Sequence, residues 1–292
     1  MQRHFPFVQV DVFTSVPLEG NQLAVFPDAN QLTPEEMQRL AKEMNLSETT
    51  FIMPRDAETE RREGVRVRIF TVQEELPFAG HPTLGTAWYL KQQRPELSEI
   101  ALQLNVGRVP VRFEDRDEQL FGEMRQAEPE FGEFHQHSAV ARVLGLTPED
   151  LDESVPIQTV STGLPFTIVP FREVSTLSRL NASWPQMEAY LQSGDRKGFF
   201  YLVARDGDTR LRARMIFYNG EDPATGSAAG CCIAWAVKYG VIASDEQAVI
   251  EQGRETLRPS FLYVRAAKAA DSVTNVRVGG HVVHVIDGRV TL

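Results

Sequence analysis

Two well-separated segments of the chain follow the same pattern, and this repeat constrains the fold more than any other feature. Residues 78–87 read FAGHPTLGTA and residues 222–230 read DPATGSAAG. Each follows a run with strand character, residues 65–70 and 212–218, and each opens a stretch of small and apolar residues typical of a helix. A strand that enters a helix through a glycine-containing turn leaves unpaired N–H groups at the helix start. We therefore expect two similar halves, each offering an anion-seeking helix start to one shared cleft.

Length and composition are those of a soluble globular protein. The chain has 292 residues, enough for one large domain or two of ordinary size, with 42% hydrophobic and 24% charged residues. No apolar run approaches the roughly 20 residues that a membrane helix needs. Residues 1–12 alternate in character, unlike the apolar run of a signal peptide. We expect a cytoplasmic protein without a membrane partner.

The charge balance argues against nucleic acid as a partner. The formal net charge is −10, whereas a nucleic-acid-binding protein is expected to present a basic face. The dense cluster at residues 55–63 has mixed sign and is expected to form a solvated hairpin loop. An anionic small molecule remains possible as a substrate, because amides at a helix end act locally.

Neither cysteine nor histidine spacing predicts a metal site. Cys231 and Cys232 are adjacent, which suits neither a disulfide nor metal binding, and we expect them to be buried structural thiols. The six histidines form no metal-binding cluster in the sequence. Neither repeated turn has the Gly-x-Gly-x-x-Gly spacing of dinucleotide-binding proteins or the lysine of a phosphate-binding loop. No cofactor is expected.

The periodicity of the chain predicts a mixed α+β protein. Thr33, Pro34 and Glu36 predict a helix start with a capping box, and Asn45 is a plausible end of that helix. Strands alternate with helical segments in both halves, and each half is expected to have one central helix. The glutamate-rich stretch 125–136 is expected to link the halves. We therefore predict domains at residues 1–124 and 125–283.

Glu48, His81, Asp222 and Ser227 are the candidate catalytic residues. Glu48 lies where a helix ends and a strand begins, while His81 and Asp222 lie at the two helix starts. A partly buried carboxylate can act as the base that deprotonates a carbon acid, and a histidine can orient a substrate or shuttle a proton. Asp222 can hold a substrate amine or fix the protonation of a neighbour.

Several of these residues also have a structural explanation. An arbitrary glutamate is most often solvated surface, and Ser227 at a helix start is most often an N-cap, a role compatible with binding a substrate carboxylate. Gly80 and Gly226 are expected to permit the tight turn and the close approach of a ligand. Serine nucleophile chemistry is not favoured, because the sequence has no Gly-x-Ser-x-Gly elbow.

Taken together, the motifs resemble the PhzF-like phenazine-biosynthesis family. The matching elements run in family order over nearly the whole chain. They are Gly20-Asn21, Leu46-Ser47-Glu48-Thr49, Phe70-Thr71, Leu76-Pro77-Phe78-Ala79-Gly80-His81-Pro82, Thr162-Gly163-Leu164-Pro165 and Asp222-Pro223-Ala224-Thr225-Gly226-Ser227-Ala228.

The resemblance implies a diaminopimelate-epimerase-like fold. Such a fold has two similar domains, each a curled, mostly antiparallel sheet around a central helix, with the active site in the inter-domain cleft. It implies that residues 284–292 return to the N-terminal domain, and that the protein is a homodimer.

The resemblance also implies a chemistry. Glu48 corresponds to the family's general acid/base, and His81, Asp222 and Ser227 to the residues that assist it. Asn21, Gly80 and Gly226 are the expected substrate-binding residues. The founding reaction of the family moves a proton across a dihydro-hydroxyanthranilate ring without a cofactor. The expected partner is thus a small molecule that bears a carboxylate.

Related epimerases and racemases place one cysteine at each helix turn, where this chain has Ala79 and Thr225. Neither can act as a base at neutral pH. We therefore predict an isomerase with one base, Glu48. Two alternatives stay open at this point: an epimerase whose second base is not a cysteine, such as His81, and a binding protein without catalysis.

Overall fold

The structure is a computed structural model that describes residues 2–116, 118–193, 198–218, 220–270 and 272–292. The chain divides into two compact units. Unit 1 comprises Met1–Arg125 and Gly279–Leu292, and unit 2 comprises Gln126–Val278. The return of the chain to unit 1 thus begins at Gly279, earlier than the expected residue 284.

Unit 1 is a sheet that closes on itself around a helix. From β17 the strand order is β1, β2, β3, β4, β6, β7 and β8, and β8 pairs again with β17. From β17 through β1 to β8 the neighbouring strands are antiparallel, except that β2 is parallel to β3 and β4 is parallel to β6. The elements are β1 His4–Val12, β2 Asn21–Phe26, α1 Pro34–Met44, β3 Glu48–Met53, α2 Ala57–Glu63, β4 Val65–Phe70, β5 Glu75–Leu76, α3 Gly80–Gln93, β6 Glu99–Leu104, β7 Gly107–Arg116, β8 Gln119–Arg125 and the second part of β17 Ser272–Thr291.

Helix α3 forms the centre of unit 1. Its first eight residues, 80–87, are all buried, which explains why small residues dominate them. A Cβ atom on Gly85 would lie 2.7 Å from a methyl carbon of Leu23 and 2.8 Å from one of Val12. The helix therefore approaches β1 and β2 closely enough that a larger side chain would have to displace them.

Helix α1 covers the opposite face of the same sheet. Thr33 and Glu36 form the predicted capping box, and Asn45 ends the helix in a left-handed conformation, at φ 51°. Met37, Leu40 and Ala41 bury the apolar face of α1 in a core cluster that includes phenylalanines from β2 and β3. Both predicted signals of this helix are confirmed.

Unit 2 has a second mixed sheet and a second central helix. The strand order is β9, β10, β11, β12, β13, β15, β16 and β17. Helix α7 is buried along residues 226–237. The elements are β9 Glu130–His135, α4 His137–Val143, β10 Ile157–Ser161, β11 Pro165–Phe171, α5 Val174–Arg179, α6 Trp184–Leu191, β12 Phe199–Arg205, β13 Arg210–Phe217, β14 Gly220–Glu221, α7 Gly226–Lys238, β15 Ala248–Gln252, β16 Ser260–Ala269 and the first part of β17.

The two units repeat one succession of strand pairings. From β1 to β7 the pairs are antiparallel, parallel, antiparallel, parallel and antiparallel, and the pairs from β10 to β16 follow the same order. In each unit a two-residue strand, β5 or β14, precedes the central helix. The predicted internal repeat and the mixed, mostly antiparallel α+β architecture are confirmed.

Two local predictions were wrong. Residues 55–63 do not form a hairpin loop: Asp56 caps helix α2, because its carboxylate accepts from the Thr59 N–H. The expected link at 125–136 contains strand β9, which pairs with β10. Within the described ranges, none of the helices has the length and apolar character needed to cross a membrane.

Candidate functional site

Glu48 is the first residue of β3 and lies opposite Leu23 of β2. Alternation along the strand puts its side chain on the same face as that of Thr50. The Thr50 hydroxyl accepts a hydrogen bond from Thr86 of α3, at 2.9 Å, so this face looks toward the central helix. The Glu48 side chain is only 14% exposed. The strand thus delivers a mostly buried carboxylate to the start of α3.

His81 is the residue that Glu48 meets there. It is the second residue of α3, and its side chain is 3% exposed. Its Nε2 atom lies 3.5 Å from Oε2 of Glu48 and makes no hydrogen bond to the residues that the structure describes. The two candidate residues Glu48 and His81 are therefore in direct contact within unit 1.

Asn21 lies on the other side of the imidazole. Its side-chain nitrogen is 3.3 Å from Nδ1 of His81, and Asn21 itself is buried at the start of β2. The structure thus brings Asn21, Glu48 and His81 into one cluster, which we call the imidazole cluster. Residues far apart in sequence meet here because β2 and β3 are neighbours and both face α3.

Burial keeps the imidazole of His81 uncharged. Desolvation lowers the pKa of His81 to about 3, although a hydrogen bond with the Gln22 backbone acts in the opposite direction. At neutral pH the ring is therefore a neutral hydrogen-bonding group. Its contact with Glu48 is not an ion pair.

Asp222 and Thr225 come together in unit 2. Asp222 follows β14, is 5% exposed, and accepts a 2.6 Å hydrogen bond at Oδ2 from the Thr225 hydroxyl. Thr225 is the residue just before α7, and Ser227 is the buried second residue of that helix. Asp222 and Ser227 therefore flank the same helix start, as the sequence predicted.

Gln252 is a member of this region that no sequence motif indicated. It lies at the end of β15 and is 1% exposed. Its amide contacts the carbonyl of Asp222 at 2.8 Å and the hydroxyl of Thr225 at 3.0 Å, through Nε2. The buried hydroxyl of Tyr201 donates to its Oε1 at 3.0 Å. We call Tyr201, Asp222, Thr225 and Gln252 the amide cluster.

Gly80 and Gly226 occupy a different place from the one expected. Each is the first residue of its central helix, within ordinary helical geometry, and neither has a positive φ. The reason for glycine at these positions is therefore not a left-handed turn. Both residues are buried, so a small side chain suits the packing at the helix start.

Ala79 and Thr225, the two turn positions considered in the sequence, occupy equivalent places in the two units. Ala79 precedes α3 and Thr225 precedes α7, each as the N-cap residue. The two cysteines lie further along α7, where both are buried, as predicted. Burial raises the pKa of Cys231 to about 12, so it stays a neutral thiol. Among the described residues, no group of side chains is arranged to hold a metal ion.

Known proteins match this chain over nearly its whole length. The family model described as phenazine biosynthesis-like protein matches residues 10–288. A trans-2,3-dihydro-3-hydroxyanthranilate isomerase from Pseudomonas aeruginosa is 35% identical, and the match covers 98% of this chain and 99% of the relative.

Solved structures give the same answer for the fold. A PhzF-family phenazine biosynthesis protein from Bacillus anthracis superposes with a TM-score of 0.86 at 26% identity, over 99% of each chain. A hydroxyproline epimerase from Agrobacterium vitis, at 14% identity, shares the fold with a TM-score of 0.69, over 99% of this chain and 92% of its own. The architecture is therefore epimerase-like.

Proposed function

The chain belongs to the phenazine biosynthesis-like protein family and is an isomerase, and we propose that it moves a proton within a small carboxylate-bearing molecule with Glu48 as the only general acid and base. One observation carries this proposal: the mostly buried carboxylate of Glu48 lies 3.5 Å from a buried imidazole. A carboxylate that is shielded from water and held in place is suited to taking a proton from carbon and returning it.

The neutral state of His81 matters for this role. A charged imidazolium beside Glu48 would favour the ionised carboxylate and weaken it as a base. Because burial lowers the pKa of His81 to about 3, the ring carries no such charge. His81 then restricts the motion of the carboxylate without fixing its protonation state, so Glu48 can take up a proton and return it.

Asp222 and Ser227 are proposed to hold the substrate. Asp222 is a buried carboxylate next to the start of α7, and Ser227 lies in the first turn of that helix. The first N–H groups of a helix have no partner within it and favour an anion. We assign the substrate carboxylate to this helix start with the Ser227 hydroxyl, and a substrate amine to Asp222. We also propose that the imidazole cluster and the amide cluster act on the same substrate molecule.

Asn21, Gly80 and Gly226 complete the proposed binding residues. Asn21 acts through the His81 ring that it contacts, and the two glycines leave the helix starts uncovered by side chains. No cofactor takes part in the proposed reaction, because a carboxylate base suffices to move a proton between two carbons of an activated substrate.

A two-base epimerase agrees less well with these groups. A histidine with a pKa of about 3 is a weak base at neutral pH, and the N-cap positions carry Ala79 and Thr225 instead of thiols. One base returns the proton to the face from which it came, which gives isomerisation and not inversion.

The first compound to test is trans-2,3-dihydro-3-hydroxyanthranilate, after which the Pseudomonas relative is named. It bears the carboxylate and the amine that the assigned groups require. Incubation of the purified protein with this compound in D2O, followed by NMR, should show an isomerised ring. If neither this compound nor a panel of related unsaturated amino carboxylates is converted or exchanges a proton, the proposed reaction is wrong.

A further inference from the structure

The hydrogen bonds of the amide cluster run in a single direction. The backbone N–H of Thr225 can only donate, and it lies 3.2 Å from Oε1 of Gln252. The backbone carbonyl of Asp222 can only accept, and it lies 2.8 Å from Nε2 of Gln252. These two partners fix which end of the Gln252 amide is oxygen and which is nitrogen.

The direction continues through the hydroxyl of Thr225. Because Nε2 of Gln252 is a donor, the Thr225 oxygen accepts from it at 3.0 Å. The one proton of the hydroxyl then goes to Oδ2 of Asp222, 2.6 Å away. The carboxylate is thus at the receiving end of a relay from Gln252 through Thr225 to Asp222.

The backbone after Gln252 approaches the segment after Asp222 closely. Gly253, which follows Gln252, has φ +82°, and a Cβ atom there would lie 2.5 Å from the carbonyl oxygen of Pro223. Only glycine allows the end of β15 to approach the segment after Asp222 so closely. The hydroxyl of Tyr201 also donates to Oε1 of Gln252, at 3.0 Å.

We propose that Gln252 and Thr225 are positioning residues that fix the direction of the Asp222 carboxylate, whose oxygens only accept hydrogen bonds, so that this site selects a substrate group that donates, such as an amine. This inference rests on the proposed function, since it assigns Asp222 to substrate binding.

The hydrogen bond from Thr225 to Asp222 can be removed with little change in the volume of the Thr225 side chain. Thr225→Val removes the hydroxyl but keeps the shape of the side chain, and Thr225→Ser restores the hydroxyl. With the dihydro-hydroxyanthranilate as substrate, we expect Thr225→Val to raise KM about tenfold, with kcat within about threefold, because hydrogen bonds to charged groups are strong. Thr225→Ser should recover most of that loss. Thr209→Val, at the turn between β12 and β13, serves as the matched control and should leave KM unchanged.

A double-mutant cycle separates positioning from a merely structural role. If Thr225 acts through Asp222, then Thr225→Val should change KM less than about twofold in an Asp222→Asn background. An undiminished tenfold effect in that background would overturn the inference.

Crystal structures of the wild type and of Thr225→Val and Gln252→Glu provide a readout that needs no activity. Gln252→Glu replaces the donating nitrogen by an oxygen and therefore reverses the polarity of the relay. We expect the Asp222 carboxylate to turn to another rotamer in both variants. An unchanged Asp222 in both would overturn the inference even if the wild type is active. A turned Asp222 in an enzyme inactive on every compound tested would refute only the proposed function.

Discussion

The first turns of α3 and α7 occupy equivalent places in the two units but carry different chemistry. Each helix begins with a glycine, and the second residue is His81 in one and Ser227 in the other. The imidazole cluster holds a titratable pair, Glu48 and His81, in direct contact. In the amide cluster a single carboxylate, Asp222, accepts from a hydroxyl that is held by an amide.

The difference extends to the neighbouring strands. Glu48 begins β3, and the strand in the equivalent place in unit 2, β12, begins with Phe199. Counting back from the two helix starts, Asp222 in unit 2 corresponds to Leu76 in unit 1. The two units thus share a backbone arrangement but have their carboxylates at different positions. In our account unit 1 moves the proton and unit 2 holds the substrate.

The largest effect is expected from the carboxylate of the imidazole cluster. Glu48→Gln keeps the shape of the side chain but removes the base, and the rate should fall at least about 10²-fold. Steady-state kinetics with the dihydro-hydroxyanthranilate measure this. Glu114→Gln, an exposed carboxylate on β7, is the control and should stay within about twofold. A Glu48→Gln variant with more than a tenth of the wild-type rate would show that Glu48 is not the base.

The carboxylate of the amide cluster should affect binding more than the chemical step. Asp222→Asn removes the charge that pairs with a substrate amine, so we expect kcat/KM to fall about 30-fold, mostly through KM. The measurement is a full substrate titration of each variant. A loss that appears in kcat alone would place Asp222 in the proton transfer and would contradict the division of roles.

The pH dependence of stability distinguishes the two clusters without a substrate. The folded chain holds the pKa of His81 at about 3, against about 6.5 in an unfolded chain. Between these values the unfolded state binds more protons, so stability is greatest above about pH 6.5 and falls as the pH falls. From pH 7 to pH 5 the loss due to this group is about 2 kcal/mol.

Urea unfolding of the wild type and of His81→Asn at both pH values measures this loss. His81→Asn should lose about 2 kcal/mol less than the wild type. His284→Asn, at an exposed position of β17, is the control and should lose as much as the wild type. Equal losses in wild type and His81→Asn would show that the imidazole is not held neutral.

The smallest effect is expected from the thiols of α7. Both cysteines are buried, and the pKa of Cys231 is raised to about 12, so neither is expected to carry a proton in the reaction. The double variant Cys231→Ala/Cys232→Ala should keep activity within about twofold, measured at equal concentrations of folded protein. A loss comparable to that of Glu48→Gln would bring the thiols into the mechanism after all.

Local signals in the sequence predicted local structure well. The capping box at Thr33 and the left-handed Asn45 were predicted because both depend on residues a few positions apart. The two central helices followed from small residues after a strand and a glycine. Helix α2 was mispredicted, because a run of charges carries no apolar periodicity and its only signal was the Asp56 cap.

Contacts between distant strands set the limit of prediction for the site. Glu48 and His81 were candidates because one lies where a helix ends and a strand begins and the other at a helix start. Their 3.5 Å contact, however, depends on how β3 lies along α3. Gln252 had no signal of its own, because its partners lie in β12 and before α7, and only the parallel pairing of β13 with β15 brings them together. An isolated Gln-Gly pair does not reveal such a pairing.

Hydrogen–deuterium exchange shows whether one base in unit 1, Glu48, moves the proton. The substrate is incubated in D2O with wild type, Glu48→Gln and Asp222→Asn at saturating concentration, and deuterium in recovered substrate and product is measured by NMR. We expect exchange with the wild type and Asp222→Asn, none with Glu48→Gln, and no inverted stereoisomer in any sample. Exchange by Glu48→Gln at the wild-type rate, or an inverted stereoisomer, would contradict this expectation.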